Sequence, residues 1–393
     1  MMESYGAHNY HPLPVMLREG RGAFVYDTDG REYLDFLSCY SALNFGHNHP
    51  RLVSSLKNQI DKLSVCSRAF YSEELSYFSE ELAKFCGLEM VLAMNSGAEA
   101  VETALKIARK WGYEKKKVAS DQAHVIAFQN NFHGRTIAIV SFSTEPTYRT
   151  NFGPFLAGFQ VVPFGDLATV ERSITPNTVA ILVEPIQAEA GILIPPAGFL
   201  SGLKTLCLKH NLLLILDEIQ TGLGRTGKNC CFEHESGAKP DLLVLGKSLG
   251  GGLLPVSAVV GTKEVMDVIR PGQHGSTFGG NPLACAVARE ALRVLKEEGL
   301  SERALEIGKR VESQLKADSF PLVKEIRGKG ALIGIELKPE AGGARRYAEK
   351  LSERGVLCKE THEHVIRIAP PLTIDFKDLD RGVGEIVGVL RSL

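Results

Sequence analysis

Nowhere in the chain does an apolar run approach the roughly 18 residues that a membrane-spanning helix requires. The N-terminus has no basic stretch leading into an apolar one, so neither a span nor a secretory leader is expected. An excess of one charge is equally lacking: 45 basic residues stand against 46 acidic, a net charge of −1. That balance removes the electrostatic ground for a nucleic-acid or anionic-membrane partner. The eight cysteines, at 39, 66, 86, 207, 230, 231, 285 and 358, include no C-x-x-C pair and no zinc-finger spacing. Reduced, mostly buried thiols in a cytoplasmic protein are expected. His47 with His49, and His362 with His364, form two H-x-H pairs without the acid or cysteine cluster that would complete a metal site. There is no internal repeat, low-complexity stretch or long linker. What remains is a chain of 393 residues, 44% of them apolar. It is long enough to bury a sizeable core and, on length alone, to form two or three domains. Its expected partners are small molecules.

The richest stretch runs from Leu212 to Gly252, LLLILDEIQTGLGRTGKNCCFEHESGAKPDLLVLGKSLGGG. Leu212 to Leu216 is a short continuous apolar run, the pattern of a strand buried on both faces, with Asp217 where it emerges. Leu242 to Leu245 repeats the pattern, and Lys247 stands at its exit. Ligands of α/β sheets gather at the carboxyl ends of the strands, so this acid and this lysine are placed to face one ligand from two sides. Gly250, Gly251 and Gly252 would let backbone approach it closely.

Two other motifs overlap the stretch. Gly222, Gly224 and Gly227 spell G-x-G-x-x-G, but Asp217 to Thr221 separate them from the strand and a poor helix follows. With Lys228 the glycines also spell G-x-x-x-x-G-K, yet Asn229 replaces the Ser or Thr that a phosphate loop uses to hold magnesium. A nucleotide hydrolase is therefore the rival class. An acid and a free lysine together suit pyridoxal phosphate better. The lysine binds the cofactor aldehyde covalently, and a carboxylate opposite the pyridine nitrogen keeps that nitrogen protonated, so the ring accepts electrons from a substrate carbanion.

Along the chain, Ala23–Tyr26 and Glu32–Phe36 flank Asp29-Gly30 as a hairpin. Leu52, Leu56, Ile60 and Leu63 mark a helix face, and Glu73–Cys86 a second helix before a strand at Met90–Met94. Ser96 and Glu99 have capping-box spacing at the start of a helix to about Trp111, and with Gly97 they read either as an ordinary cap or as a phosphate site. Strands are expected at His124–Phe128, Ile137–Phe142, Val179–Val183 and Val256–Val260, and a helix around Phe199, Leu203 and Leu206. Pro282 opens a long helix. Beyond about Leu300 the pattern becomes helix, strand pair, helix: Ser301–Lys316, Val323–Arg327 with Ala331–Leu337, then Arg345–Arg354. Strands alternating with helices imply a mainly parallel sheet covered on both faces.

DEIQTGLGRTGK at 217–228, GSTFGGNPLACAVA at 275–288, the opening YGAHNYHPLPV and SCYSALNFGHNHP at 38–50 together resemble the class III (ω-)aminotransferases, and within them the branch acting on ornithine. The resemblance covers nearly the whole chain. It implies the α/β fold-type I of pyridoxal-phosphate enzymes, with a mainly parallel seven-stranded sheet. The expected division is an N-terminal segment 1–40, a large cofactor domain 41–287 and a small α+β domain 288–393. It implies a homodimer with shared active sites.

For the residues, the resemblance makes Lys247 and Asp217 catalytic and assigns the cofactor to Gly97, Ala98, Phe132, Gln220, Ser276 and Thr277. Phe132 stacks on the pyridine ring, Gln220 bonds its phenolic oxygen, and Thr277 reaches the phosphate of the neighbouring subunit. Tyr10, Tyr40, Arg135, Glu189 and Arg367 would bind substrate, with Arg367 gripping the α-carboxylate of glutamate or 2-oxoglutarate. The implied reaction moves the δ-amino group of L-ornithine to 2-oxoglutarate, giving glutamate 5-semialdehyde and glutamate, within proline and arginine metabolism. Acetylornithine or another ω-amino acid is the alternative substrate. His133, where some relatives carry Trp, and Cys39, where Ser is common, depart from the pattern.

Overall fold

The computed structural model describes residues 2–392. Three short strands open the fold: β1 (Leu17–Arg21), β2 (Phe24–Asp27) and β3 (Glu32–Asp35). The expected hairpin is β2 with β3, paired antiparallel about the Asp29-Gly30 turn, where Gly30 takes φ 81°. The central sheet has seven strands: β4 (Met90–Met94), β5 (His124–Phe128), β6 (Phe159–Val162), β7 (Thr178–Val183), β8 (Leu213–Asp217), β9 (Leu242–Leu245) and β10 (Ser257–Gly261). Their order is β4-β10-β9-β8-β7-β5-β6. β10 runs antiparallel to both its neighbours, and the other adjacent pairs are parallel. Every residue of β7, β8, β9 and β10 is buried, which is why those strands read as unbroken apolar runs rather than alternating ones. Each Leu or Ile buried there contributes about 1.5–3 kcal/mol.

The remaining strands are β11 (Val323–Lys329), β12 (Leu332–Leu337), β13 (Val356–Leu357), β14 (Lys359–Thr361) and β15 (Val365–Ile368). β11, β12, β15 and β14 form a sheet in that order, and β13 joins the N-terminal hairpin by pairing in parallel with β3, Val356 opposite Leu34. The two ends of the chain thus share one small sheet. The helix Pro282–Glu297 runs unbroken through the expected boundary at 287.

Two expectations need correcting. Ile137–Phe142 is not a strand: Ile137–Val140 is one helical turn, because Thr136 caps it by accepting from the Ile139 N–H, and Ile139 and Val140 turn inward together. The outer strand beside β5 is instead β6, a segment not among the strands expected from the sequence. The helix face marked by Leu52, Leu56, Ile60 and Leu63 is also only partly used. The helix is Pro50–Ile60, Leu52 is buried, and Ile60 and Leu63 remain about half exposed.

The glycines of the rival phosphate loop are consumed by packing. A side chain on Gly227 would meet Leu305 and one on Gly224 would meet Leu295, so protein rather than a phosphate fills that space. Lys228 is exposed. Among the described residues no group of three or more His, Cys, Asp or Glu is placed to hold a metal ion, and no helix is long and apolar enough to cross a membrane. His47 instead bonds Asp35 at 2.8 Å. All eight cysteines are free; six are buried, Cys66 is half-buried and Cys39 exposed.

Candidate active site

The register of two neighbouring parallel strands places the acid and the lysine together. Asp217, the last residue of β8, lies opposite Val244 of β9, so the chain that leaves β9 carries Lys247 past the same edge of the sheet. A cavity of about 210 Å³ opens there, lined by Gly97, Ala98, Phe132, His133, Glu184, Asp217, Gln220 and Lys247 among others. Lys247 takes φ 46° and its Nζ donates to Gln220 Oε1. Burial lowers the Lys247 pKa from its ordinary value, against the upward pull of Glu189 and Asp217. Its amine is therefore more readily neutral than an exposed lysine's.

Asp217 is buried, and its Oδ2 lies 2.7 Å from His133 Nδ1. The far nitrogen of that ring, Nε2, is buried without a protein partner. Glu184 follows β7 directly, and the β7·β8 register sets Val183 opposite Leu216, so Glu184 and Asp217 emerge side by side. Burial, and then the charge of Asp217, push the Glu184 carboxyl well above the ordinary range; its Oε1 accepts the Phe132 N–H at 2.9 Å. In the sequence His133 stands out only as a departure from the family pattern, and Glu184 carries no evident role. The signal for Glu184 was its place one residue past a fully apolar run, the same place that marks Asp217.

Ser96 and Glu99 form a complete capping box at the head of the helix Gly97–Glu114. That box satisfies the Ser96 and Glu99 N–H groups on either side of Gly97 and Ala98, which lie in the first turn and line the cavity. A side chain at Gly97 would strike Ile219, which lines the same cavity. Ser276 Oγ accepts from Asn95 Nδ2 at 2.9 Å, just before the cap. Thr277 is exposed and lines neither this cavity nor the next.

A second cavity, about 320 Å³, shares Lys247 and Phe132 with the first and holds Tyr10, Tyr40, Arg135, Glu189 and Arg367. All five expected substrate residues therefore meet in one chamber. Arg367 is no edge residue: β15 lies between β12 and β14, with Arg367 opposite Gly334 on one side and Lys359 on the other. Its side chain is 1% exposed, its Nη1 donates to Glu189 Oε1 at 2.6 Å, and its guanidinium sits 4.6 Å from the centre of the Tyr40 ring. Burial alone would raise the Glu189 carboxyl, but Arg367 and then Lys247 outweigh it and hold its pKa below the ordinary value. Arg135 lies 4.5 Å from the ring of Tyr148, 5.8 Å from Phe132 and 6.0 Å from Tyr10. Tyr148, together with Thr361 whose Oγ1 donates to the Glu189 carbonyl at 2.5 Å, was missed by sequence reasoning.

Tyr40 belongs to an unusual turn. Ser38, Cys39, Tyr40 and Ser41 all have left-handed φ, from 45° to 70°. For residues with side chains that conformation costs roughly 1–2 kcal/mol each, and it persists only where the surroundings over-determine it. Asp35 Oδ1 accepts the Leu37 and Ser38 N–H groups on one flank, and Asn44 is buried on the other.

The model of the family Aminotransferase class-III matches residues 5–390. The chain belongs to the class III aminotransferases. It is 53% identical over 389 residues to an ornithine aminotransferase of Brevibacillus brevis, covering 99% of this chain and 96% of that one. Among solved structures it is similar to the ornithine aminotransferase of Toxoplasma gondii, whose active site holds PLP at partial occupancy. That match has a TM-score of 0.97 and 44% identity, covering 99% of this chain and 92% of the other. It is also similar to an acetylornithine aminotransferase of Elizabethkingia anophelis, with a TM-score of 0.91 and 48% identity, covering 100% and 98%.

Class III aminotransferases use pyridoxal phosphate, and the first cavity suits it. The buried Gln220 Nε2 lacks a protein partner, two first-turn N–H groups are free for a phosphate, and a carboxylate fixed by His133 stands where a pyridinium would need one.

Proposed function

We propose that this aminotransferase moves the δ-amino group of L-ornithine to 2-oxoglutarate. The observation that carries this reading is the Arg367–Glu189 pair roofing Tyr40 in the chamber that opens on Lys247. One chamber must accept ornithine by its far amine and glutamate by its near one. An exposed guanidinium beside Lys247 would draw the α-carboxylate of ornithine and present the wrong amine. Glu189 screens that charge while ornithine is bound and swings aside for the second carboxylate of glutamate or 2-oxoglutarate. Tyr10, Tyr40 and Arg135 then hold the α-amino acid end of ornithine away from Lys247.

Pyridoxal phosphate, when bound, supplies the electron sink that lets the amine-bearing carbon lose a proton. Lys247 Nζ takes that proton as general base and returns it as general acid, a role that its lowered pKa suits. Asp217, oriented by His133, would keep the pyridine nitrogen protonated. Gln220 Nε2 would donate to the phenolic oxygen, Phe132 would cover the ring, and Gly97 and Ala98 would take the phosphate at the head of their helix.

The active unit is a homodimer, and Ser276 and Thr277 serve the partner's phosphate. Thr277 is exposed in the single chain, next to Phe278 at 56% exposure; Ile60, Leu63, Val65, Phe70 and Tyr71 leave further apolar surface. The Leu283 N–H donates to the Ser64 carbonyl, so the two segments adjoin.

The 48% identity to an acetylornithine aminotransferase favours N-acetylornithine as the second reading. Purified enzyme incubated with 2-oxoglutarate and each amine singly tests both. Glutamate formation from ornithine well ahead of N-acetylornithine is expected, and the reverse order would replace the proposal.

A further inference from the structure

Arg225 is wholly buried and its guanidinium bonds no carboxylate. Burial brings its pKa down to about 9, which leaves it charged at neutral pH. All its partners are neutral oxygens. Nε and Nη2 donate to Asn44 Oδ1 at 3.1 and 2.6 Å, and Nη1 donates to the Ala331 and Pro370 carbonyls at 3.1 and 2.6 Å. Its own carbonyl accepts the Ala331 N–H at 3.0 Å. A charge buried at this cost needs a reason beyond stability, since an apolar side chain of similar volume would serve a core as well or better.

The partners suggest the reason. Asn44 flanks the left-handed turn that carries Tyr40, and Asn44 Nδ2 donates to the Leu223 carbonyl at 2.8 Å, tying the turn to the same loop. Pro370 closely follows Arg367, and Ala331 immediately precedes β12, on which the Arg367 strand is registered. The Leu372 N–H donates to the Asn44 carbonyl at 2.8 Å and closes the circuit. One planar fork therefore holds the segment of Tyr40 and the segment of Arg367 against the loop that follows Gln220. No atom of Arg225 lines either cavity.

We infer that Arg225 is a positioning residue that sets the spacing of Tyr40 and Arg367, and thereby the affinity for dicarboxylates, without touching substrate. The inference rests on the proposed reaction. It is tested on Arg225→Lys holoenzyme, because a lysine keeps the charge but not the fork that reaches three oxygens at once. Calorimetric titration with glutarate, an unreactive dicarboxylate, is the first readout. The second is the rate at which saturating n-butylamine, which has no carboxylate to place, converts the cofactor absorbance. Glutarate affinity should fall about tenfold, as expected for losing a charge-assisted contact, with the butylamine rate within about twofold of wild type. Asn44→Ala keeps the Arg225 bonds to Ala331 and Pro370 but removes those from Asn44 to Arg225 and to Leu223, and it carries the test where Arg225→Lys fails to fold; the same direction is expected. Equal losses in both readouts, or none in glutarate affinity, would overturn the inference. Wild-type conversion of glutamate is the separate control on the proposed reaction, so the two failures are told apart.

Discussion

At the cofactor end of the site, Asp217, Gln220 and Lys247 come from one stretch and from two neighbouring strands whose register alone brings them together. At the proposed substrate end, Tyr10, Tyr40, Arg135, Glu189 and Arg367 arrive from segments scattered along the chain, and loops or short strands hold most of them. The first end sits on fully buried strands; the second depends on a pair of ions, a guanidinium over a tyrosine ring and a left-handed turn. Rigid strands suit a cofactor that always binds in one pose. Under the proposed reaction the chamber takes two different amino acids, which calls for a charge that can be covered and uncovered. The difference predicts that damage at the first end lowers every reaction alike, whereas damage at the second changes which substrate, and which amine, reacts.

The largest effect is expected from Lys247→Ala. Loss of the base should cost at least about 10²–10⁴-fold in turnover with ornithine and glutamate equally, with the fold intact by circular dichroism. Multiple turnover in the variant would place the base elsewhere. Glu189→Ala should sharpen the contrast, because it leaves Arg367 uncovered. The ratio of ornithine to glutamate half-reaction rates should shift by about ten- to a hundredfold, the worth of a charge-assisted contact of roughly 1.5–3 kcal/mol. Product analysis should show α-transfer appearing beside δ-transfer, and an unchanged ratio with only δ-product would mean that Glu189 is no gate.

His133→Phe removes one hydrogen bond from Asp217, and cofactor affinity should fall about tenfold while the KM for ornithine stays put. A KM that moved with it would join the two ends of the site. Smallest, and detectable only by pH, is Glu184→Gln. The Glu184 pKa is raised in the fold, so its contribution to stability is present below the ordinary glutamate value of about 4.3 and is lost as pH rises through the raised value. The melting temperature of Glu184→Gln should therefore gain on wild type by on the order of a few degrees as pH rises. A difference that stays flat across pH would show that Glu184 ionises normally.

The same division governs how much was legible in the sequence. β7, β8 and β9 were visible because strands buried on both faces admit only apolar residues, and a charged residue at their exit stands out. The capping box at Ser96 and Glu99 has a spacing rule of its own. Ile137–Val140 was misread because β-branched residues favour strands by local preference, and one Thr136 cap overrode that preference. Neither Tyr40 nor Arg367 carries a local mark of its partner. Pairing Glu189 with Arg367 required the family resemblance, because nothing in either segment specifies the other. Arg225 stands inside DEIQTGLGRTGK, but only burial distinguishes a clamp from a solvated side chain.

The small sheet shared by the two chain ends bears on how the protein is made. Leu34 of β3 pairs with Val356 of β13, a closure across nearly the whole chain, and contacts so far apart in sequence form late because their loop entropy comes due before any reward. During synthesis every strand of the central sheet, with Asp217 and Lys247, emerges before the last strands exist. The residues of the cofactor pocket thus emerge while the N-terminal hairpin still waits for its partner strand, and Arg367 follows only at the end. A chain cut short before β13 would keep the lysine and lose the means to choose what it meets.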